Sequence, residues 1–439
     1  MLFRSKKRIL LCNDASVLST GYGVYGKEIL SRLHQSDKYE VAELGCFVEK
    51  NHPKINSIPW RFYPNAVAAD DPRHSIYKSS NNNGFGLWRF NRVLIDFKPH
   101  IVFDIRDYWM SAYQEVSPYR DFFHWVIMPT VDSSPQRVDW KITFRNSDIV
   151  VPYTEWAKRT LQHECGHTIN LFPKIANAGI NPSEFFPLPD DIRQSKKTSL
   201  FKNKDTKVIG AVMRNQKRKL LADTLVVLKK VLTKHPNTIL YLHTTFPEET
   251  GWDIPSLLIE YGVLDKVYFT YICKKCHSFF PAKFHGMSVL CPQCKNTVAY
   301  CSLPGYPVTT SQLNEIYNLF DIYLQYAICE GFGMPQVEAA ACGLPIMSVD
   351  YSAMSEIVDS VGGYKIPCSL FREMESNALR ALPDNDIAAD MIINLLNNYE
   401  QVDKNKIREK CIDKYSWDKV YSIWDECFDS IDVSTKPDW

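Results

Sequence analysis

Short apolar runs alternate with amphipathic stretches along this chain, and the series runs twice. "RILLCND", "YEVAELGCF", "HIVFDI", "FHWVIMP" and "DIVVPY" have the length and composition of strands. "YGKEILSRLHQ" and "TEWAKRTLQHE" carry apolar residues at helical spacing, the second with Thr154 placed to cap it. The series breaks in "NPSEFFPLPDDIRQSKKTSLFKNKD", rich in proline and charge, and then restarts. "KVIGAVM", "TILYLHT", "KVYFTYI", "DIYLQYA" and "PIMSVD" read as strands, and "LLADTLVVLKKVLTKH", "TSQLNEIYNLF" and "MPQVEAAAC" as helices. Strands separated by helices need crossover connections, so each series predicts a parallel sheet covered by helices. The expected fold is α/β, with two doubly wound, Rossmann-like domains facing across a cleft and a boundary within residues 186–206. Such sheets bind ligands beyond the carboxyl ends of their strands, which makes that cleft the expected site.

Composition sets outer bounds. A chain of 439 residues suits two domains, and a net charge of +1 gives no reason to expect an anionic partner for the molecule as a whole. No apolar run approaches the length of a membrane span. The opening "MLFRSKKRILLCND" turns polar too soon for a signal peptide and reads as a first strand. Thirteen cysteines, an odd number without a secretion signal, point to a cytoplasmic location with mostly free thiols.

Near the start, "LSTGYGVYGKEIL" places Gly21, Gly23 and Gly26 in the spacing G-x-G-x-x-G. A dinucleotide fingerprint needs its first glycine in the tight turn directly after the strand. Here six residues, "ASVLST", intervene, although Glu43 on the next strand imitates a ribose-binding acid. A phosphate- or sugar-facing loop backed by a helix N-terminus is the preferred reading, beside a loop of no chemical importance.

"DIYLQYAICEGFGMPQVEAAACGLPIMSVD" reads as strand, loop, helix, strand. Pro335 suits the first helical turn, and Gly343 the C-terminal end. Glu330 sits in the loop and Glu338 on the helix, with seven residues between them. Two carboxylates beside a helix N-terminus suit a ligand that combines an anion with hydroxyl groups.

At these residues the chain resembles the retaining glycosyltransferases of family 4, which have the two-domain GT-B fold. "EGFGMPQVEAAACGLP" is similar to their donor motif and "STGYGVYGKEIL" to their N-terminal glycine loop. "NAGINPSEFFPL" is similar to their hinge, with Asn181 where an aspartate is usual. "GAVMRNQKRKLL" matches their basic motif and "YSWDKVYSIWDECF" their closing helix. The resemblance implies a nucleotide-sugar donor. Arg214 and Lys219, with Arg218 able to share the role, would neutralise its diphosphate, and Glu338 would hold the ribose hydroxyls. Glu330, Phe332, Gly333 and Met334 would hold the donor sugar, while Gly21 and Gly23 would approach the sugar phosphate. Asp132, in "MPTVDSSP", would face the donor sugar or the acceptor, a loop-capping role being the alternative. No enzymic nucleophile and no catalytic metal are expected. "DND" at Asp384–Asp386 has the form of a metal-binding motif but precedes a helix it would cap. The resulting plan is an acceptor-side domain over 1–190, a donor domain over 191–405 and a C-terminal helix, 406–439, crossing back to the first domain.

One stretch departs from that plan. "CKKCHSFFPAKFHGMSVLCPQC" carries Cys273, Cys276, Cys291 and Cys294 as two C-x-x-C knuckles separated by 14 residues. That spacing predicts a closed, structural zinc ribbon, inserted over 271–302. From Lys266 to Asn314 there are five lysines, no Asp or Glu, and interleaved Phe279, Phe280 and Phe284. This composition suits nucleic acid, so DNA carrying hydroxylated bases is an expected acceptor. A stabilising knob with its own small core is the competing reading. Saccharide or lipid-linked acceptors, a non-catalytic nucleic-acid-binding scaffold and a dinucleotide oxidoreductase complete the alternatives.

Overall fold

The computed structural model of the chain describes residues 6–295, 298–302 and 306–439. Residues 1–5 of the opening segment, and residues 296, 297 and 303–305 in and after the cysteine-rich insertion, lie outside the described residues. The chain forms two compact units. One holds the chain up to Gly179 together with Met374–Ala378 and Ser416–Trp439; the other holds Ile180–Glu373 and Leu379–Tyr415.

The first unit is built on six parallel strands: β1 (Lys7–Asp14), β2 (Tyr39–Cys46), β3 (Arg61–Pro64), β4 (Ile101–Ile105), β5 (His124–Met128) and β6 (Ile149–Val150), in the order β3-β2-β1-β4-β5-β6. The sheet is apolar on both faces, with Leu10, Val102, Trp125 and Ile127 buried on one and Ile9, Leu11, Phe103 and Val126 on the other. Thr154 caps the helix Glu155–Cys165 by accepting the Ala157 N–H, as the sequence predicts. The last long helix, Trp417–Ser430, belongs to this unit. Its Trp424 donates to the Tyr25 hydroxyl at 2.9 Å, and Tyr25 donates in turn to the Ala176 carbonyl at 2.8 Å.

In the second unit the parallel strands are β7 (Lys207–Val212), β8 (Thr238–His243), β9 (Val267–Cys273), then, past the insertion, β13 (Ile322–Gln325), β14 (Ile346–Val349) and β15 (Tyr364–Ile366). Side by side they run β9-β8-β7-β13-β14-β15. The insertion supplies β10 (Phe279–Lys283), β11 (Ser288–Leu290) and β12 (Val298–Cys301). Tyr268 and Phe269 pair with both β8 and β10, and Tyr271 and Ile272 with both β10 and β12. A strand has two edges, so β10 takes one edge of β9 while β8 and β12 share the other. The insertion is therefore an extension of the sheet at the carboxyl end of β9. Among the described residues no helix is long and apolar enough to cross a membrane.

The proline- and charge-rich stretch at 186–206 contains a helix, Asp190–Phe201, packed within the second unit. Two of its charges are turned inward. Arg193 and Lys197 donate to the two oxygens of buried Asp321 at 2.7 and 2.6 Å, and Asp321 also accepts the Val208 N–H at 2.7 Å. Asp321 and Lys197 are each 3% exposed, so removing the carboxylate strands two buried cations. Asp321→Ala is expected to cost about 3–5 kcal/mol, the scale of a broken buried ion pair. Denaturant unfolding of the variant against wild type measures it.

Candidate active site

β7 and β13 are neighbours, and the loops that leave their carboxyl ends carry the charged motifs. Lys219 donates to Glu330, Arg218 lies 2.8 Å from its second oxygen, and Gln325 donates to it at 2.8 Å. The loops are joined through their backbones as well: the Ile328 N–H donates to the Arg218 carbonyl at 3.0 Å, and Arg218 donates to the Cys329 carbonyl at 3.0 Å. Ser352 locks Glu330 in place by accepting its N–H at 3.2 Å and donating to its carbonyl at 3.1 Å. Burial alone would push the Glu330 carboxyl up; Arg218 and Lys219 hold it down to about 2. Lys219, 7% exposed, is pushed down by burial and by Arg218, against the pull of Glu330. Two cations share this one carboxylate in a mostly desolvated place. An anion is its natural complement. Arg218, with 36% of its side chain exposed, forms the open side.

Arg214 is engaged differently. It forks onto Glu248, at 2.7 Å and 3.1 Å, and Glu248 also accepts from Thr245 at 3.1 Å. The Glu248 loop is clamped to the basic loop by Asn215 and Trp252, which exchange two bonds of 3.0 Å. The sequence reading missed Glu248, because an acid in an irregular loop has no spacing to mark it.

The helix Met334–Ala341 begins after Gly333, whose φ of 100° is one that favours glycine. Pro335 occupies its first turn and Gly343, at φ 74°, follows its end, as the motif predicts. Phe332 is buried edge-on against Tyr415. Glu338 accepts the Tyr317 hydroxyl at 2.6 Å, and burial pushes its carboxyl up to about 7. Gln336, fully buried, has no partner for either side-chain amide atom among the described residues. It too escaped the sequence reading, which gave no weight to an amide inside an apolar helix.

In the first unit, Gly21 opens the helix Gly21–Gln35, and Thr20 caps it by accepting the Gly23 N–H at 3.1 Å while donating to Asp14 at 2.7 Å. A Cβ on Gly23 would lie 2.7 Å from the Leu18 carbonyl, so packing of the loop alone demands glycine there. Asp132 follows β5, partly exposed, and accepts from Ser133 at 3.0 Å. Glu43 does not imitate a ribose-binding acid. It is fully buried, accepts from the Ser16 backbone, the Ser16 hydroxyl and Trp60, and is pushed up to about 7 by burial. Asp384 caps its helix through the Asp386 and Ile387 N–H groups.

The four insertion cysteines converge. All their sulfurs lie within 4.8 Å of one another, with Cys273–Cys294 and Cys276–Cys291 at 3.7 Å. Zinc–sulfur bonds of about 2.3 Å at tetrahedral angles put sulfurs about 3.8 Å apart, whereas a disulfide needs about 2.05 Å. The donor set therefore fits a structural zinc, whose chemistry is to tie the two knuckles together. The Cys294 backbone N–H leads the effects that hold Cys291 down to about 6, favouring the thiolate that a metal requires.

Residues 303–397 match the family model of glycosyl transferases group 1. The chain is 30% identical over 102 residues to the UDP-N-acetylglucosamine–peptide N-acetylglucosaminyltransferase GtfA subunit of Streptococcus pneumoniae, a match covering 19% of this chain and 20% of that protein. It spans 20–23% of the lengths of the GtfA relatives it matches. The whole fold is similar to sucrose-phosphate synthase from Thermosynechococcus elongatus, with a TM-score of 0.67, 15% identity and coverage of 97% and 98% of the two chains. It is also similar to Anabaena HepE solved with UDP and glucose, with a TM-score of 0.66, 13% identity and coverage of 97% and 100%. The fold is thus the GT-B fold of glycosyltransferases, and its second unit bears a glycosyl transferases group 1 segment.

Two outcomes follow from this geometry. Purified protein should hold one zinc per chain by elemental analysis, and exchange of the four cysteines for Ser should abolish it. Glu338 should also make nucleotide binding pH-dependent. Its raised carboxyl is protonated below about 7, and a ligand hydroxyl donates best to the ionised form, so affinity for UDP should rise between pH 6 and 8. In Glu338→Gln the slope should flatten to the part set by UDP's own terminal phosphate, whose second ionisation lies at about 6. Glu43→Gln, whose carboxyl is also raised, should retain the wild-type slope.

Proposed function

We propose that this chain moves a sugar from a nucleotide-sugar donor to an acceptor hydroxyl with retention of configuration. The observation that carries the reading is the triad of Glu330, Arg218 and Lys219, two cations gathered on one buried carboxylate at the carboxyl ends of β7 and β13. In this reading the donor diphosphate lies against those two cations. Lys219 and Arg218 stabilise the charge that builds on the β-phosphate as the glycosidic bond breaks, and Arg214 exchanges Glu248 for phosphate. The acceptor oxygen bonds to the sugar carbon on the face that the diphosphate leaves, and its proton passes to the departing phosphate. Glu338 receives ribose hydroxyls, and the backbone from Phe332 to Met334 meets the donor sugar. With three side-chain cations available, donor chemistry proceeds without added Mg²⁺. HepE is solved with UDP-glucose, and the pneumococcal relative is named for UDP-N-acetylglucosamine, so these are the first donors to test.

For the acceptor, the packing of the insertion weighs against a base-stacking platform. Phe280 stacks on Tyr271, Phe284 packs on Phe246 and Phe269, and Lys274 lies over the rings of Tyr300 and Tyr306. These rings serve the protein itself, which favours the knob reading and a saccharide acceptor over DNA with hydroxylated bases. Sugar transfer to both acceptors, with salt-dependent DNA binding of Lys275→Gln and Lys283→Gln, separates the two.

Lys219→Ala and Arg214→Ala should each lower turnover by about 10²-fold or more, the scale for loss of an electrostatic stabiliser. Release of nucleoside diphosphate from UDP-sugars measures it. Wild-type rates in both variants would remove the transferase reading.

A further inference from the structure

The end of β8 holds a proton chain with one consistent direction. The Tyr241 hydroxyl lies 3.0 Å from Thr270 Oγ1, which lies 3.0 Å from His243 Nδ1. Tyr241 is fully buried and Thr270 is 1% exposed. A buried phenol must place its proton, and Thr270 is its partner among the described residues. Thr270 therefore accepts from Tyr241 and gives its own proton to Nδ1. That leaves Nδ1 without hydrogen and puts the ring hydrogen on Nε2. The reverse direction would leave the phenol proton buried without an acceptor. Burial keeps the imidazole neutral, pushing it down to about 4. His243 is partly exposed, and its Nε2 has no partner among the described residues. The next residue, Thr244, is 3% exposed, and its hydroxyl also lacks one.

The position is specific. The His243 carbonyl accepts the Met213 N–H at 3.0 Å, one residue before Arg214. On the other side, the Ser302 N–H donates to the Thr270 carbonyl at 3.1 Å, so β12 follows directly where β8 stops. His243 thus stands between the basic loop and the cysteine-rich insertion, and β8 is two strands from β13. With strands about 4.8 Å apart, that is roughly 10 Å from the end that bears the Glu330 triad. A diphosphate held at the triad reaches that far through its ribose to its base. A neutral N–H adds no charge, which suits an uncharged carbonyl better than a phosphate.

We propose that His243 is a specificity residue that donates its Nε2–H to a ring carbonyl of the donor's nucleobase. The proposal rests on the donor-site reading above. Two measurements test it with the full chain. Long-range ¹H–¹⁵N spectra of the wild type should show the Nε2–H tautomer at neutral pH, and Thr270→Val, which removes the relay, should shift the balance towards Nδ1–H. A wild type dominated by Nδ1–H would overturn the proposal. In calorimetry, His243→Ala should weaken UDP binding by about three- to tenfold, the worth of one hydrogen bond, and leave pyrophosphate binding unchanged. His243→Gln, which keeps an N–H donor, should recover part of the loss. Unchanged UDP affinity in His243→Ala, or equal losses for UDP and pyrophosphate, would overturn it. If wild type binds pyrophosphate but not UDP, the base contact fails while the phosphate site stands; if it binds neither, the donor-site reading fails and this proposal with it.

Discussion

Two buried carboxylates, each holding two cations, bracket β13, and the second unit is organised around them. Asp321 precedes the strand and Glu330 follows it after a short loop. Burying a charge is costly unless it is paired and fully hydrogen-bonded, so both acids are surrounded by donors from other segments. The same chemistry has different consequences at the two ends. Asp321 pins the helix Asp190–Phe201 and the start of β7 at the amino end of the sheet, where no ligand site is expected. Glu330 joins two loops at the carboxyl end, where a parallel sheet meets its ligands.

Arg214 and Arg218 illustrate how charge is stored before a ligand arrives. Each guanidinium already has a carboxylate partner, Glu248 for the first and Glu330 for the second. Such pairs keep cations oriented in the absence of an anion. The Arg214 side chain is 58% exposed while Glu248 is 15% exposed, so solvent screens this pair from one side. The Lys219 pair is buried, and solvent screens it much less.

The cysteine-rich insertion is continuous with the sheet rather than appended to it. β10 and β12 hydrogen-bond to β9, and Gln312, in the helix that follows the insertion, donates to the His277 carbonyl at 2.9 Å. A metal that closed the two knuckles would therefore stiffen the carboxyl end of β9. Tyr271 and Phe284 contribute to both the insertion and the domain core, so Phe280 and Phe284, two of the three phenylalanines that suggested a nucleic-acid platform, are engaged in packing.

Local patterns in the chain were enough to place the main strands, the Thr154 and Asp384 caps, the turn of helix after Gly333 and the four cysteines as one cluster. Each is set by residues close in sequence, where periodicity, capping or fixed spacing acts directly. Residues 186–206 read as a break between the two series because the partner of Arg193 and Lys197, Asp321, lies more than a hundred positions away. Glu43 resembled a ligand acid until burial and Trp60 gave it a structural task. Glu248, Gln336 and the Tyr241–Thr270–His243 chain carry no local mark at all. The sequence by itself determined two α/β series, their motifs and the metal-ligand spacing. Only the tertiary structure decided which charges are spent on each other, which stay available and which way a proton points, because pairing and desolvation depend on distances between segments far apart in the chain.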